Sequence, residues 1–275
     1  MSEKKTGRFS RLEIDSKVAP EELTPKGFAI EERDAGWYMK RAEEAYQTGY
    51  FEKALQLYTR ALREDRALIS AWTGQVRMLV ELGEYKEAIL WSDKALELFR
   101  SNSDLLSARA QAAARSGDTR TALSCSDASL QGTGTSPYRW IVRAEVLLSS
   151  EAKHADSCFK KALAEEDSFW MDHIAIASIY LSYGKATQAM NYARSAMKLE
   201  PTSGYVWFIQ GECQSELGLI SPARESYRRA LEILGDYPAA TDRINSLKKC
   251  KRPVKKNGKG FLSKLGSLLG EGGDE

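Results

Sequence analysis

The sequence predicts an all-α solenoid, in which helix pairs of similar length stack side by side along the chain. The main observation is a set of small residues that returns every 33 or 34 residues. A fixed period of roughly 20–50 residues is typical of stacked supersecondary units. Three series share one register: Ala42, Val76, Ala110, Ala144, Ala177 and Gly211; Ala54, Ala88, Ala122, Ala155, Ala189 and Ala223; and Ala61, Ala95, Ser129, Ala162, Ala196 and Ala230.

Each period also contains two helical patterns separated by a turn. In the first period Asp34 can cap a helix that reaches about Thr48, and Gly49 ends it. A second helix covers about 51–64, where apolar residues recur at the i, i+3, i+4 spacing of one helix face. A capping serine before a first-turn proline predicts two later helix starts, at Ser136–Pro137 and Ser221–Pro222.

Large residues recur in the same rhythm. Tryptophan stands early in the first helix of three periods, an aromatic residue stands in the second helix of three, and one proline ends a period: Trp72, Trp140 and Trp207; Tyr58, Phe159 and Tyr227; and Pro201. This pattern resembles the tetratricopeptide repeat (TPR), a helix–turn–helix unit of about 34 residues. The resemblance implies a right-handed superhelical solenoid. Its six units would be 35–68, 69–102, 103–136, 137–169, 170–203 and 204–237, followed by a capping helix at 238–251.

The composition sets the array apart from the two ends of the chain. Residues 1–33 mix charges and two prolines without helical periodicity, so we expect a disordered leader before the array at 34–251. We expect residues 252–275 to form a flexible basic and amphipathic tail. The four cysteines are dispersed and no apolar run is long enough to span a membrane, which predicts a cytoplasmic protein.

Units 3 and 4 depart from the pattern. Unit 3 is composed mainly of alanine, serine and charged residues, and a glycine-rich segment, Gly132–Gly134, follows it. Unit 4 is one residue shorter and lacks the turn glycine. These departures predict a less stable third unit, which could act as a hinge between the more stable units 1–2 and 4–6.

No set of residues predicts catalysis, so we expect a protein that is not an enzyme and has no cofactor. His154 and Cys158 lie four residues apart on a predicted helix, but two ligands do not complete a zinc site. We therefore expect no metal site. His173 occupies a packing position of its unit.

The TPR resemblance implies a protein–protein interaction scaffold that binds a partner peptide or helix in its concave groove. Units 1–3 place mostly small and polar residues there, whereas units 4–6 place a more apolar set. The predicted peptide-binding groove comprises Tyr138, Ile141, Val142, Glu145, Met171, Ile174, Ser178, Leu181, Tyr205, Phe208, Ile209 and Glu212. Apolar residues rimmed by carboxylates favour a neutral or basic apolar segment as the partner. The alternative is that Ile141, Ile174 and Phe208 belong to the core of a tightly wound superhelix.

Two other partner classes are disfavoured. TPR proteins that bind chaperone C-terminal tails clamp the terminal carboxylate with lysine, asparagine and arginine. The corresponding residues of this chain are Met39, Glu43, Gly74, Ser107 and Gln111. Nucleic acid is disfavoured because no aromatic residue lies within the basic run of the tail to stack on bases.

The tail is a second candidate for binding. A lysine-rich run precedes one apolar helix face, formed by Phe261, Leu262, Leu265, Leu268 and Leu269. This face could dock in the groove of units 4–6 and inhibit it, bind an anionic membrane, or bind another protein. The remaining alternative is a disordered basic tail that binds nothing. The alternative function is therefore a peripheral membrane-associated assembly factor recruited through this segment.

Overall fold

The described residues, 33–150 and 154–249 of the computed structural model, form thirteen α-helices and no strand. Each helix contacts the next along the described chain, in one case through the rings of Phe159 and Tyr180, so the chain is a helical solenoid. The leader before Arg33 and the tail, with its apolar face, lie outside the described residues. The helices are α1 Ala35–Gln47, α2 Phe51–Glu64, α3 Ile69–Glu81, α4 Tyr85–Leu98, α5 Ser103–Ser116, α6 Thr119–Gln131, α7 Pro137–Ser149, α8 Ala155–Ala162, α9 Trp170–Ser182, α10 Ala186–Leu199, α11 Gly204–Glu216, α12 Ile220–Leu234 and α13 Pro238–Lys249.

Local capping sets several helix starts. The Asp34 side chain accepts a hydrogen bond from the Trp37 amide at 2.7 Å, and Ser136 caps α7. The prediction that Ser221 caps the last helix of unit 6 is wrong. That helix begins at Ile220, one residue before Ser221. Pro222 therefore lies in the first turn, where backbone N–H groups have no partner within the helix, so the N–H that proline lacks is not needed.

The recurring small residues lie at helix contacts. All eighteen members of the three series are buried. Gly211 shows why: a Cβ atom built there would lie 2.6 Å from Cε1 of Tyr227. A bulky side chain on one helix therefore fills the space that a small residue leaves on its neighbour.

The short second helix of unit 4 begins at Ala155. His154 precedes it with a left-handed φ of 83°, the conformation that glycines adopt in the corresponding turns of units 3 and 5. The prediction that His154 and Cys158 share a helix is therefore wrong, because His154 is the residue before the first helical turn. His154 is exposed and Cys158 is buried.

Ion pairs connect unit 3 to its neighbours, where large apolar residues are scarce. Arg109 of α5 contacts Asp93 of α4 at 2.7 Å. Arg143 of α7 contacts Asp127 of α6 at 2.6 Å, and both members of this pair lie 34 residues beyond those of the first. One electrostatic contact is thus repeated across both interfaces of the unit.

The array closes on itself. The turn between α1 and α2 packs against unit 6: the Phe51 ring lies 5.8 Å from that of Tyr205, and the Tyr50 ring lies 5.2 Å from that of Tyr237. A Cβ atom on Gly49 would meet the Tyr205 ring at 2.4 Å. Six units therefore complete enough of a superhelical turn for the first to touch the last.

No helix in the described part of the chain combines the length and hydropathy needed to cross a lipid bilayer.

Candidate functional site

The candidate site is the concave side of the solenoid, which the first helix of each unit lines. One repeat position illustrates its chemistry, because it carries Glu43, Arg77, Gln111, Glu145, Ser178 and Glu212 in successive units. In units 1–4 and 6 these side chains bond to other groups of the same chain. The concave side is therefore largely occupied by its own polar contacts.

Arg77 lies between two tyrosine rings. Its guanidinium carbon is 4.9 Å from the ring centre of Tyr46 and 4.3 Å from that of Tyr138, and Nη2 donates a 2.7 Å hydrogen bond to the Tyr46 hydroxyl. Burial alone would lower the pKa of Arg77, but the surrounding tyrosines and Glu43 raise it above its usual value. Burial raises the pKa of Tyr46 to about 12, against the opposing charge of Arg77. Units 1, 2 and 4 thus meet at one cation–π contact.

A second network joins units 3 and 4. The Gln111 amide donates a 2.9 Å hydrogen bond to Glu145, and the Tyr138 hydroxyl donates to Gln111 at 3.2 Å. Arg115 forms an ion pair with Glu145, whose side chain has no solvent exposure. Burial would lower the pKa of Arg115, but the charges of Glu145 and Glu81 raise it. This buried carboxylate therefore has both a cation and a neutral donor.

The concave side of unit 6 repeats a contact of unit 1. The Tyr227 hydroxyl donates a 2.7 Å hydrogen bond to Glu212, as Tyr58 donates to Glu43 at 3.0 Å. The other carboxylate oxygen of Glu212 accepts a 2.6 Å hydrogen bond from Arg243 of α13.

The twelve predicted groove residues divide by burial. Seven lie inside the packed core: Ile141, Val142, Glu145, Met171, Ile174, Tyr205 and Ile209. Five are half-buried: Tyr138, Ser178, Leu181, Phe208 and Glu212. The Phe208 ring packs against those of Tyr205, Tyr227 and Tyr237, at centroid distances between 5.2 and 6.2 Å. Only the half-buried group offers side-chain surface to a ligand.

Comparisons with known structures give the fold a name. A tetratricopeptide repeat protein from Parabacteroides merdae superposes with a TM-score of 0.51 at 15% identity, over 80% of this chain and 86% of that one. The chain has the TPR fold. TTC0263, a TPR protein of Thermus thermophilus, gives a TM-score of 0.45 at 16% identity over 78% of this chain and 99% of its own. YrrB, described as a TPR protein with an unusual peptide-binding site, gives a TM-score of 0.40 at 16% identity, over 68% of this chain and 97% of its own. No protein-family model and no curated protein sequence matches the chain.

Sequence reasoning missed the residues at the centre of this TPR array. Tyr46 lies one helical turn beyond Ala42, and Glu81 and Arg115 occupy the last turns of α3 and α5. Glu81 and Arg115, though not Tyr46, share one signal: a repeat position four residues after that of Arg77, carrying Gln47, Glu81, Arg115, Ser149, Ser182 and Glu216. Every member is polar, so an accessible rim at this end of the groove could have been predicted.

Within the described residues, no three histidine, cysteine, aspartate or glutamate side chains are grouped closely enough to bind a metal ion.

Proposed function

We propose that this protein is a protein-interaction scaffold that binds a partner's peptide segment on the concave side of units 5 and 6. The observation that carries the proposal is that the exposure of apolar side chains differs along the groove. The concave polar groups of units 1–4 are engaged with one another and Ser178 bonds to Tyr205, whereas the apolar side chain of Leu181 in α9 remains half-buried. Phe208 of α11 adds half-buried aromatic surface and stacks on Tyr205.

The chemistry of the partner follows from the groups around this surface. Tyr205 is buried beside Ser178, and burial raises its pKa well above the ordinary value. The Glu81 charge adds to that shift, and a hydrogen bond from Ser178 opposes it. Glu81, at the end of α3, has an exposed side chain; surrounding atoms of the array desolvate its carboxyl group and raise its pKa, against the opposing charge of Arg115. An apolar segment with a basic residue would place the apolar part against Leu181 and the cation near Glu81.

The buried members of the groove have another role in this proposal. Ile141, Ile174 and Ile209 hold the first helices together and so fix the shape of the surface. A charged substitution there would test folding rather than binding, so the test needs half-buried positions.

The experiment selects binders from a randomised peptide library with the full chain and compares two variants. Leu181→Glu changes the groove, and Leu90→Glu places the same charge at an exposed leucine of α4. We expect peptides enriched in apolar and basic residues, which Leu181→Glu no longer binds and Leu90→Glu binds as the parent does. Thermal unfolding of both variants checks that they fold. Selected peptides that bind both variants equally, or a selection without enrichment, would contradict the proposal.

A further inference from the structure

The turn between α11 and α12 is an apolar surface that the described residues leave uncovered. Leu217, Leu219 and Ile220 lie within four positions of one another and are 39%, 47% and 36% exposed. The only residue between them is Gly218, which has a left-handed φ of 75°. Three exposed apolar side chains thus stand within one turn, which we call the unit 6 turn.

The equivalent turns of other units show what such a patch implies. Units 2, 3 and 5 each carry a charged residue at the position of Leu219, namely Glu84, Asp118 and Lys185. Unit 1 carries Tyr50 there and Phe51 next to it, and both rings pack against unit 6. The turn of unit 1 is thus comparable in apolar character to the unit 6 turn, and another part of the chain covers it.

The chain leaves the described structure beside this patch. Helix α13 follows α12 after a turn of three residues and packs against it, so the two run in opposite directions and the end of α13 lies towards the start of α12. Arg243, midway along α13, contacts Glu212 and also feels the charge of Glu216, which directly precedes Leu217. Lys249 lies six residues, or about 9 Å, further along the helix in the direction of the unit 6 turn.

We propose that the apolar face of residues 261–269 docks in cis on the unit 6 turn. The spacing of Phe261 and four leucines in the sequence would place them on one face of a helix, and Leu217, Leu219 and Ile220 offer an apolar surface of matching character. The concave groove is a poorer receptor, because seven of the twelve predicted groove residues are already packed in the core.

The connection is long enough and of suitable charge. Eleven residues, 250–260, separate α13 from Phe261 and span up to about 35–40 Å when extended. Five of them are lysine or arginine, and the exposed Glu216 carboxylate directly precedes the unit 6 turn. Because the linker keeps the segment near the turn, a weak contact is sufficient for docking.

The test is hydrogen–deuterium exchange on the full chain. Docking for nine-tenths of the time slows exchange of the 261–269 amides about tenfold relative to a free peptide of the same sequence. We expect this protection in the parent and its loss in the double variant Leu219→Glu/Ile220→Glu. The same loss is expected in Leu265→Glu/Leu268→Glu, where the array is untouched. Leu199→Glu, at an exposed leucine at the end of α10, is the matched control and keeps the protection.

Three results would overturn the proposal. Free-peptide exchange rates in the parent mean that the segment does not dock. Protection that disappears on dilution assigns the contact to a second copy of the chain. Protection that appears only with vesicles of phosphatidylcholine and phosphatidylserine assigns the segment to a membrane. Failure of the peptide selection described for the groove leaves this measurement unaffected, since it needs no external ligand.

Discussion

The Tyr50 hydroxyl donates a 2.8 Å hydrogen bond to the carbonyl oxygen of Asp236, 186 residues further along the chain. This contact joins the first unit of the array to the turn that ends the last unit, between α12 and α13. Repeat arrays gain most of their stability from contacts between neighbouring units. A contact between the two ends adds a constraint on curvature that no pair of neighbours supplies.

Removing the Tyr237 side chain is expected to open this closure. Tyr237 is buried, its ring packs against Tyr50 and Phe208, and its hydroxyl donates to the Gly49 carbonyl at 3.4 Å. Tyr237→Ala should lower the free energy of unfolding by about 3–5 kcal/mol, because it deletes a buried aromatic ring. Urea unfolding measures this change, and small-angle scattering should show a more extended array.

A milder change at the same contact provides the control. Tyr50→Phe keeps the ring and removes only the hydrogen bond to Asp236, so the expected loss is about 0.5–1.5 kcal/mol. Equal losses for Tyr50→Phe and Tyr237→Ala would mean that ring packing does not hold the ends together.

The small residues of the repeat make a second prediction. Gly211→Ala should lower the unfolding free energy by about 1–3 kcal/mol, because the added methyl group overlaps the Tyr227 ring. Alanine is otherwise the better helix former by about 1 kcal/mol. Gly36→Ala is the matched control, since its Cβ would meet only the Asp34 side chain at 3.4 Å or more, and it should stabilise α1. Chemical denaturation measures both. A stabilised Gly211→Ala variant would contradict the close contact, whereas recovery in a Tyr227→Leu background would support it.

The sequence predicted the helix bounds that neighbouring residues determine. It did not predict contacts between distant units, which depend on the curvature of the array. The bounds of α1 and α2 match the prediction within one residue, because Asp34 and Gly49 act within a single turn. The closure at Tyr50 was not predictable, since it results from small rotations accumulated over six units. The same holds for Arg77, whose partners Tyr46 and Tyr138 come from units 1 and 4. Periodicity indicates which face of a helix is concave but not how much of it remains exposed.

The ion pair between units 3 and 4 makes a third prediction. Arg115→Met leaves the fully buried Glu145 carboxylate without its cation, and the expected loss of unfolding free energy is about 3–5 kcal/mol. Adding Glu145→Gln should restore much of it, because the amide needs no counter-charge and can still accept from Gln111. A double-mutant cycle measured by denaturation gives the coupling.

Arg143→Met serves as the control for this pair. Its partner Asp127 is half exposed, so the expected loss is only about 0.2–1 kcal/mol. If Arg115→Met and Arg143→Met had the same small effect, the buried pair would not hold the two units together.

The two histidines make a pH prediction. Burial lowers the pKa of His173 below its ordinary value of 6.5, and its Nδ1 has no hydrogen-bond partner among the described residues. The unfolded chain therefore binds a proton at a higher pH than the folded chain does. The contribution of His173 to stability is complete above about pH 6.5 and declines as the pH falls from there towards the lowered pKa.

Substitution at each histidine separates this effect from other titrations. In His173→Phe the aromatic contact with Tyr192 can persist, while the titration is gone. The difference in unfolding free energy between the parent and His173→Phe should therefore fall as the pH decreases from about 6.5. His154→Gln, at the exposed histidine before α8, should leave that pH dependence unchanged. Urea unfolding at a series of pH values measures both differences. A parent and a His173→Phe variant with parallel profiles would mean that the His173 ring is as well solvated in the folded protein as in the unfolded chain.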